Sequence, residues 1–263
     1  MLSAPCPRSP PILLPGKRTS FECSPTMPRG CASCVTGRAA VRRPPRGTPL
    51  CRPCFLAAVE ADVGDLTEAA ALFRPGDVVA VGMSGGKDST ALAAILSTLN
   101  ARRQWRLRLC LLAIDEGIAG YRDDSLEAAT ATAASLGLPL TVLSYKDLYG
   151  WSMDEVVARV GRVGNCTYCG VWRRQALERG AAFLGADVLA TGHNADDMAE
   201  TVLMNLLRGD IGRLRRRSLP RVKPFKYTYE KEIVLYCHYR RLTYFATECV
   251  APCGPASALL CKQ

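Results

Sequence analysis

"VAVGMSGGKDST", residues 79–90, is an apolar strand that breaks into paired glycines and restarts as a helix at a lysine, an aspartate and two hydroxyls. Strand, tight turn and helix N-terminus bring several backbone N–H groups to one point, which makes a ready anion site. Gly85 and Gly86 are expected to supply positive φ and to admit a phosphate where a side chain would block it. Two common phosphate loops are excluded. Three residues separate Gly82 from Gly86, one fewer than a Walker loop needs, and Asp88 stands where a Ser/Thr magnesium ligand should follow the lysine. The G-x-G-x-x-G fingerprint of dinucleotide folds is also missing.

From residue 76 onward, short apolar runs alternate with helical periodicity. Strands are expected at 77–83, 108–114, 140–144 and 187–191, and helices at 88–99, 122–136, 152–160, 170–184 and 195–207. That alternation predicts an α/β fold with a parallel sheet and helices on both faces. Leu92, Ile95, Leu96 and Leu99, spaced i, i+3, i+4, i+7, mark the inward face of the helix after the glycines. Outward from this core the expected organisation is a disordered leader 1–30, a cysteine module 31–54, a helical connection 55–75, the nucleotide-binding domain 76–210 and a basic segment 211–263. Met27 is a candidate start just ahead of the first cysteine pair.

The 263 residues are 48% apolar, enough for one substantial core with a small appended module. No run reaches the roughly 18 to 20 apolar residues of a membrane helix, and "SPPILLPGKR" is too short and proline-broken for a signal sequence, so an intracellular protein without a membrane role is expected. Residues 1–54 carry nine Lys/Arg against one acid and residues 208–263 carry twelve against four, leaving an acidic middle between basic ends. Such flanks suit a polyanion gripped beside the pocket, with 38–52 and 208–226 as candidate nucleic-acid contacts; solvated arginine is the plainer reading and the one taken for 1–26.

Eight of the thirteen cysteines fall in close pairs, which in a chain without a secretory signal points to metal chemistry. Cys31, Cys34, Cys51 and Cys54 form C-x2-C-x16-C-x2-C, a pattern that closes tetrahedrally on Zn²⁺ and leaves no open coordination position. Arg38, Arg42, Arg43 and Arg46 lie between the knuckles, where they could meet phosphates. Cys166 and Cys169 stand alone as a third C-x2-C, read as lying just before a helix whose dipole would favour thiolates. A third ligand could be Cys249, with Cys253 as competitor. Three thiolates would hold a 4Fe-4S cluster with one open iron; a persulfide on one cysteine, or an inert buried pair, are the alternatives. Cys110 and Cys237 read as core residues.

A carboxylate beside a phosphate cradle repels it unless a divalent cation lies between, so Asp88 implies Mg²⁺. Asp115 ends the second strand at the ligand-binding edge of the sheet, where a role near ribose or metal competes with simple capping of the next loop. Arg173 and Arg174 could neutralise a transferring phosphate or face solvent. Asn194 and Asp197 make a helix N-cap pattern, whereas His193 and Asp196 are read as functional.

Ser84–Ser89, Ser-Gly-Gly-Lys-Asp-Ser, resembles the PP-loop of ATP pyrophosphatases, which bind ATP there and release pyrophosphate. Together with the knuckles, "IDEGIAGYRDD", "CTYCGVWRR" and "TGHNADDMAETVLMNLLRGD", it resembles the PP-loop tRNA thiolases over residues 31 to 250. The resemblance implies 2-thiolation of the wobble uridine of cytoplasmic tRNAs for Lys, Glu and Gln, by adenylation of the C2 oxygen and displacement of AMP by sulfur. It implies ATP on Ser84, Gly85, Gly86, Lys87, Asp88, Ser89 and Thr90, an active-site turn at His193, Asp196 and Asp197, and a cluster on Cys166, Cys169 and Cys249. It also implies a homologous second subunit and a thiocarboxylated ubiquitin-like modifier as sulfur donor. The stretch after "ECV" departs from the pattern and reads as a truncated or altered end. Competing readings are a non-catalytic tRNA-binding partner subunit and another PP-loop reaction such as lysidine synthesis, which needs no thiolate cluster.

Overall fold

The computed structural model describes residues 30–34, 36–44, 47–120, 122–161, 165–208 and 220–245. The leader with Met27, Arg46, the basic run 209–219, Cys249 and Cys253 lie outside the described residues. A short antiparallel hairpin, β1 (Val41–Arg43) and β2 (Thr48–Leu50), leads into α1 (Arg52–Ala69). The chain then runs through β3 (Val78–Met83), α2 (Lys87–Arg103), β4 (Arg108–Asp115), α3 (Arg122–Leu136) and β5 (Leu140–Ser144). It continues with α4 (Tyr145–Tyr149), α5 (Met153–Val160), α6 (Asn165–Phe183), β6 (Val188–Ala190), α7 (Ala195–Arg208), β7 (Arg221–Val222) and α8 (Glu230–Arg240).

The five long-range strands form one parallel sheet in the order β5-β4-β3-β6-β7. Strand order reverses at β3, so the crevice outside the carboxyl ends beside β3 is the ligand position such a topology offers. Side chains alternate between two layers, as the two-residue period of a strand requires. Val79, Val81, Leu109, Leu111 and Ala113 join the cluster formed with α1, α2 and α8, whereas Ala80 and Leu112 pack with Ala181 and Leu189 on the α6 side. Leu92, Ile95, Leu96 and Leu99 of α2 are buried as the sequence period predicts, each stabilising the fold by about 1.5 to 3 kcal/mol.

Three features depart from the sequence reading. The helix expected from 170 begins at Asn165, so Cys166 and Cys169 lie within the start of α6 and not ahead of it; Gly170 does not break the helix because Cys169 and Ala176 are buried in one cluster with Tyr145, and that burial outweighs the propensity cost. The segment "KEIVLYCHYR" is the helix α8, with Ile233, Tyr236 and Cys237 facing the core. Arg43 is not offered to a ligand: it donates to Glu232 at 2.6 Å and to Asp62 at 2.6 Å. Neither acid lies near Arg43 in sequence, so spacing could not show that the hairpin is stapled to α8.

Buried Glu60 ties three helices together. It accepts from Tyr236 at 2.8 Å and pairs with Arg102 at 2.8 Å and Arg240 at 3.0 Å. Among the described residues no helix is long and apolar enough to cross a membrane.

Candidate active site at the carboxyl edge of the sheet

The loop after β3 is shaped by one strained glycine and a small hydroxyl network. Gly85 has φ +72°, and a Cβ there would lie 2.5 Å from the Ser125 carbonyl oxygen, so only glycine fits. Gly86 differs from expectation: its φ of −80° is ordinary extended backbone at the N-cap of α2, and a Cβ would meet only Ser84 Oγ, at 3.4 Å. Its value is a bare surface at the start of a helix whose first N–H groups have no side-chain cap. Ser89 Oγ donates to the Gly86 carbonyl at 3.0 Å and accepts from the Ser84 N–H at 3.2 Å, so both serines hold the loop's shape. Thr90 Oγ1 is buried with no hydrogen-bond partner among the described residues, in the first turn of α2.

Lys87 and Asp88 follow at the mouth of this turn. Lys87 Nζ lies 3.1 Å from Asp88 and 2.8 Å from Glu230. Burial pulls its ammonium down, but the hydrogen bond to Glu230 and the two nearby carboxylate charges outweigh this and hold it above the usual lysine range. Asn194 Nδ2 donates to Asp88 Oδ1 at 3.3 Å, which brings the loop after β6 onto the phosphate turn. Gly192 permits that approach, because a Cβ there would lie 2.9 Å from the Asp88 carbonyl carbon. The approach was invisible in the sequence, where Gly192 carried no turn signal of its own.

The acids of the following turn divide as their bonds dictate. Asp197 and Asn194 cap α7 reciprocally, each backbone N–H donating to the other's side chain at 3.0 Å. Asp196 accepts from the Glu230 N–H at 2.7 Å, so it fixes the start of α8 and with it the acid that meets Lys87. His193 Nδ1 lies 3.0 Å from Thr191 Oγ1. Lys223, also missed in the sequence, is pulled below the usual lysine range by burial against the opposing charge of Asp197. Beyond α8 the chain returns to the turn, where the Phe245 N–H donates to the Gly85 carbonyl at 2.8 Å.

One strand over, Asp115 accepts from the Gly117 N–H at 2.9 Å and pairs with Arg122 at 2.8 Å, which is the loop-capping arrangement. Its neighbour Glu116 was not singled out in the sequence and is buried. Arg173 grips it with both Nε and Nη2, the latter at 2.8 Å, and Nη2 also lies 3.6 Å from Cys169 Sγ. The Glu116 charge holds the Arg173 guanidinium well above its ordinary pKa. Arg173, read from sequence as a phosphate contact, is thus engaged beside the cysteine: i to i+4 on a helix puts it over Cys169, and its acid partner is remote in sequence. Tyr145, its hydroxyl kept protonated by burial, donates to the Cys169 carbonyl at 3.3 Å. Cys166 is placed by its backbone alone, one turn from Cys169 on α6.

The Sγ atoms of Cys31, Cys34, Cys51 and Cys54 all lie within 4.8 Å of one another, around the base of the hairpin and the first turn of α1. A tetrahedral ion with ~2.3 Å bonds needs sulfurs about 3.8 Å apart, and Cys34 and Cys51 are 3.6 Å apart. Cys31 is held down to about 6 by hydrogen bonding from the Cys51 backbone, and Cys54 is pushed up to about 12 by the neighbouring sulfur of Cys51. Four sulfurs this close can all be thiolates only around a cation.

A glycine turn between strand and helix, a Lys-Asp pair at its mouth and a parallel sheet reversing beside it define a PP-loop nucleotide-binding domain, and residues 58–249 match that domain family. The chain is 57% identical over 234 residues to cytoplasmic tRNA 2-thiolation protein 1 of Drosophila ananassae, covering 85% of this chain and 68% of that protein. It is 58% identical over 233 residues to the protein of that name in Aspergillus niger, with the same coverage. Its fold is similar to the U34-tRNA thiolase NcsA of Methanococcus maripaludis with its [4Fe-4S] cluster, at a TM-score of 0.77 and 28% identity over 89% of this chain and 80% of that one. The chain belongs to the cytoplasmic tRNA 2-thiolation protein 1 family.

Proposed function

We propose that this chain is a cytoplasmic tRNA sulfurtransferase that 2-thiolates the wobble uridine, adenylating the C2 oxygen at the PP-loop and delivering sulfur from the α6 cysteines. The observation that carries the reading is the convergence of two sites on one sheet edge. The phosphate turn follows β3, and Glu116, which with Arg173 holds Cys169, follows the adjacent β4. Ser125 links them, donating to the Ser84 carbonyl at 2.9 Å while lining the same hollow as Asp115 and Glu116.

In this reading the uridine C2 oxygen attacks the α-phosphorus of ATP and the bond to pyrophosphate breaks. Sulfur then adds at C2, and AMP leaves with the oxygen. Gly86 and the first N–H groups of α2 cradle phosphate oxygens, and Lys87 neutralises charge developing on the leaving pyrophosphate. Mg²⁺ arriving with ATP fits the Asp88 carboxylate, whose position Asn194 sets. Asp196 acts by placing Glu230 against Lys87, and His193 and Asp115 line the surrounding loops. A 4Fe-4S cluster on Cys166, Cys169 and Cys249 would supply an open iron to present sulfur. Cys169 fits such a role, being buried with a cation at its sulfur.

Zn²⁺ is proposed for the four-cysteine site, as a structural ion. The reading extends to two partners that the family resemblance alone supports, a homologous second subunit and a thiocarboxylated ubiquitin-like modifier. Cys31→Ser or Cys54→Ser is expected to release the metal, loosen the hairpin and weaken tRNA binding by about tenfold, with ATP affinity less affected. Metal analysis beside titrations of both ligands checks this, and unchanged tRNA affinity in metal-free protein would make the module a scaffold only.

The test of the whole reading is thiouridine formed from tRNA, ATP, Mg²⁺ and sulfide by iron-free and by anaerobically reconstituted protein. Activity is expected after reconstitution only. Cys169→Ser should lose iron and activity together, because two thiolates do not retain a cubane. Full activity of the iron-free sample would show that sulfide displaces AMP from the adenylated C2 without a cluster, and no thiouridine from either sample would remove the proposed activity.

A further inference from the structure

A groove of about 550 Å³ opens where the start of α1 meets the end of α8, at the opposite end of that helix from Glu230. Arg52, His238 and Arg241 stand exposed on it, with Tyr239 and Tyr244 half-buried, and its lining contains no carboxylate. Its composition differs from the surrounding surface. Arg43, Arg102, Arg103 and Arg240 on the neighbouring elements are all neutralised by acids. Arg52 and Arg241 have no ion pair among the described residues. Arg52 lies 5.4 Å from the Tyr239 ring centroid, so cation and ring form one continuous surface.

The groove is built onto the back of the phosphate turn. Cys237 at its floor donates its thiol to the Lys87 carbonyl at 3.5 Å. Leu242 and Tyr244 on its wall lead directly to Phe245, which holds the Gly85 carbonyl. Unpaired cations beside half-buried rings, in a concavity within the roughly 300 to 1,000 Å³ range of small-ligand pockets, match one nucleotide with its phosphate on the arginines and its base against a tyrosine. A duplex could not enter, because stacked and paired bases do not present their faces.

We propose that this groove binds a single-stranded nucleotide of the RNA substrate, phosphate on Arg52 and Arg241 and base against Tyr244, at a subsite separate from the reacting uridine. The proposal rests on the RNA reading above and needs no turnover to be tested. Equilibrium binding of the substrate tRNA and of UMP would be measured across a salt series, with metal content and ATP affinity as controls. Arg52→Gln/Arg241→Gln is expected to weaken tRNA about 10- to 100-fold and to reduce the salt slope by about 0.7, the value for one phosphate on a single strand. Arg52 adjoins a metal-ligating cysteine, so Arg241→Gln alone is the second variant, expected to weaken tRNA in the same direction and to lower the slope by at most about 0.7. Tyr244→Leu should weaken tRNA about 5- to 100-fold with the slope unchanged. UMP binding lost in the same variants, at far lower affinity than tRNA, supports an RNA subsite, whereas UMP binding as tight as tRNA overturns it in favour of a free nucleotide. A wild-type slope and affinity in Arg241→Gln and Tyr244→Leu overturns the groove and leaves thiolation untouched; absence of thiouridine in the unsubstituted protein would remove the activity and leave this binding result readable.

Discussion

Asp88→Asn and Lys87→Ala are each expected to lower thiouridine formation by ~10² to 10³, equivalent to about 3 to 4 kcal/mol of lost transition-state stabilisation. The asparagine is chosen because it keeps an oxygen for the 3.3 Å bond from Asn194 and removes only the charge. Both positions are partly exposed, at 28% for Asp88 and 25% for Lys87, so neither change opens the core. Glu230, released by Lys87→Ala, is 43% exposed and remains solvated. Thermal unfolding should therefore be nearly unchanged while turnover collapses. Unimpaired turnover in Asp88→Asn would show that the carboxylate only orders the loop and would withdraw its metal role.

Arg173→Met is expected to destabilise the fold by about 3 kcal/mol, because it leaves the Glu116 carboxylate buried without its cation. Glu116 is 9% exposed and Arg173 26%, so some water reaches the pair and the cost sits at the lower end of the usual range for breaking a buried ion pair. For a chain of this size the melting temperature should fall by about 6 to 12 °C. The double variant Glu116→Gln/Arg173→Met should recover most of that loss, since it removes the stranded charge along with the cation. Single and double variants equally stable would show that the pair is not buried in solution. Iron retention after reconstitution provides a separate reading: if the pair orders Cys169, both variants should hold the cluster less well than the unsubstituted protein.

Much of this protein is determined by the sequence alone, wherever the deciding interaction is local. The α2 register follows from a four-residue apolar period, the phosphate turn from a strand meeting glycines, and the Asn194–Asp197 cap from a three-residue spacing. The four-cysteine site was legible in the same way, because two C-x2-C turns bring their sulfurs together whatever the rest of the chain does. Backbone and side-chain groups within one turn meet through helix or turn geometry, and that geometry is written in spacing.

Only the tertiary structure decided the partners of charged groups. Arg43 meets Glu232 across 189 positions, Arg173 meets Glu116 across 57 and Asn194 meets Asp88 across 106. Each contact depends on which strands neighbour one another in the sheet and which helices pack across it. Gly192 is the same case in backbone form, its missing Cβ being required by a helix that precedes it by over a hundred residues. Burial then turns these remote encounters into strong interactions, because a charge removed from water needs a partner that water no longer supplies. The sequence names the groups able to do chemistry, and the fold selects which of them remain available to a ligand and which are already held by each other.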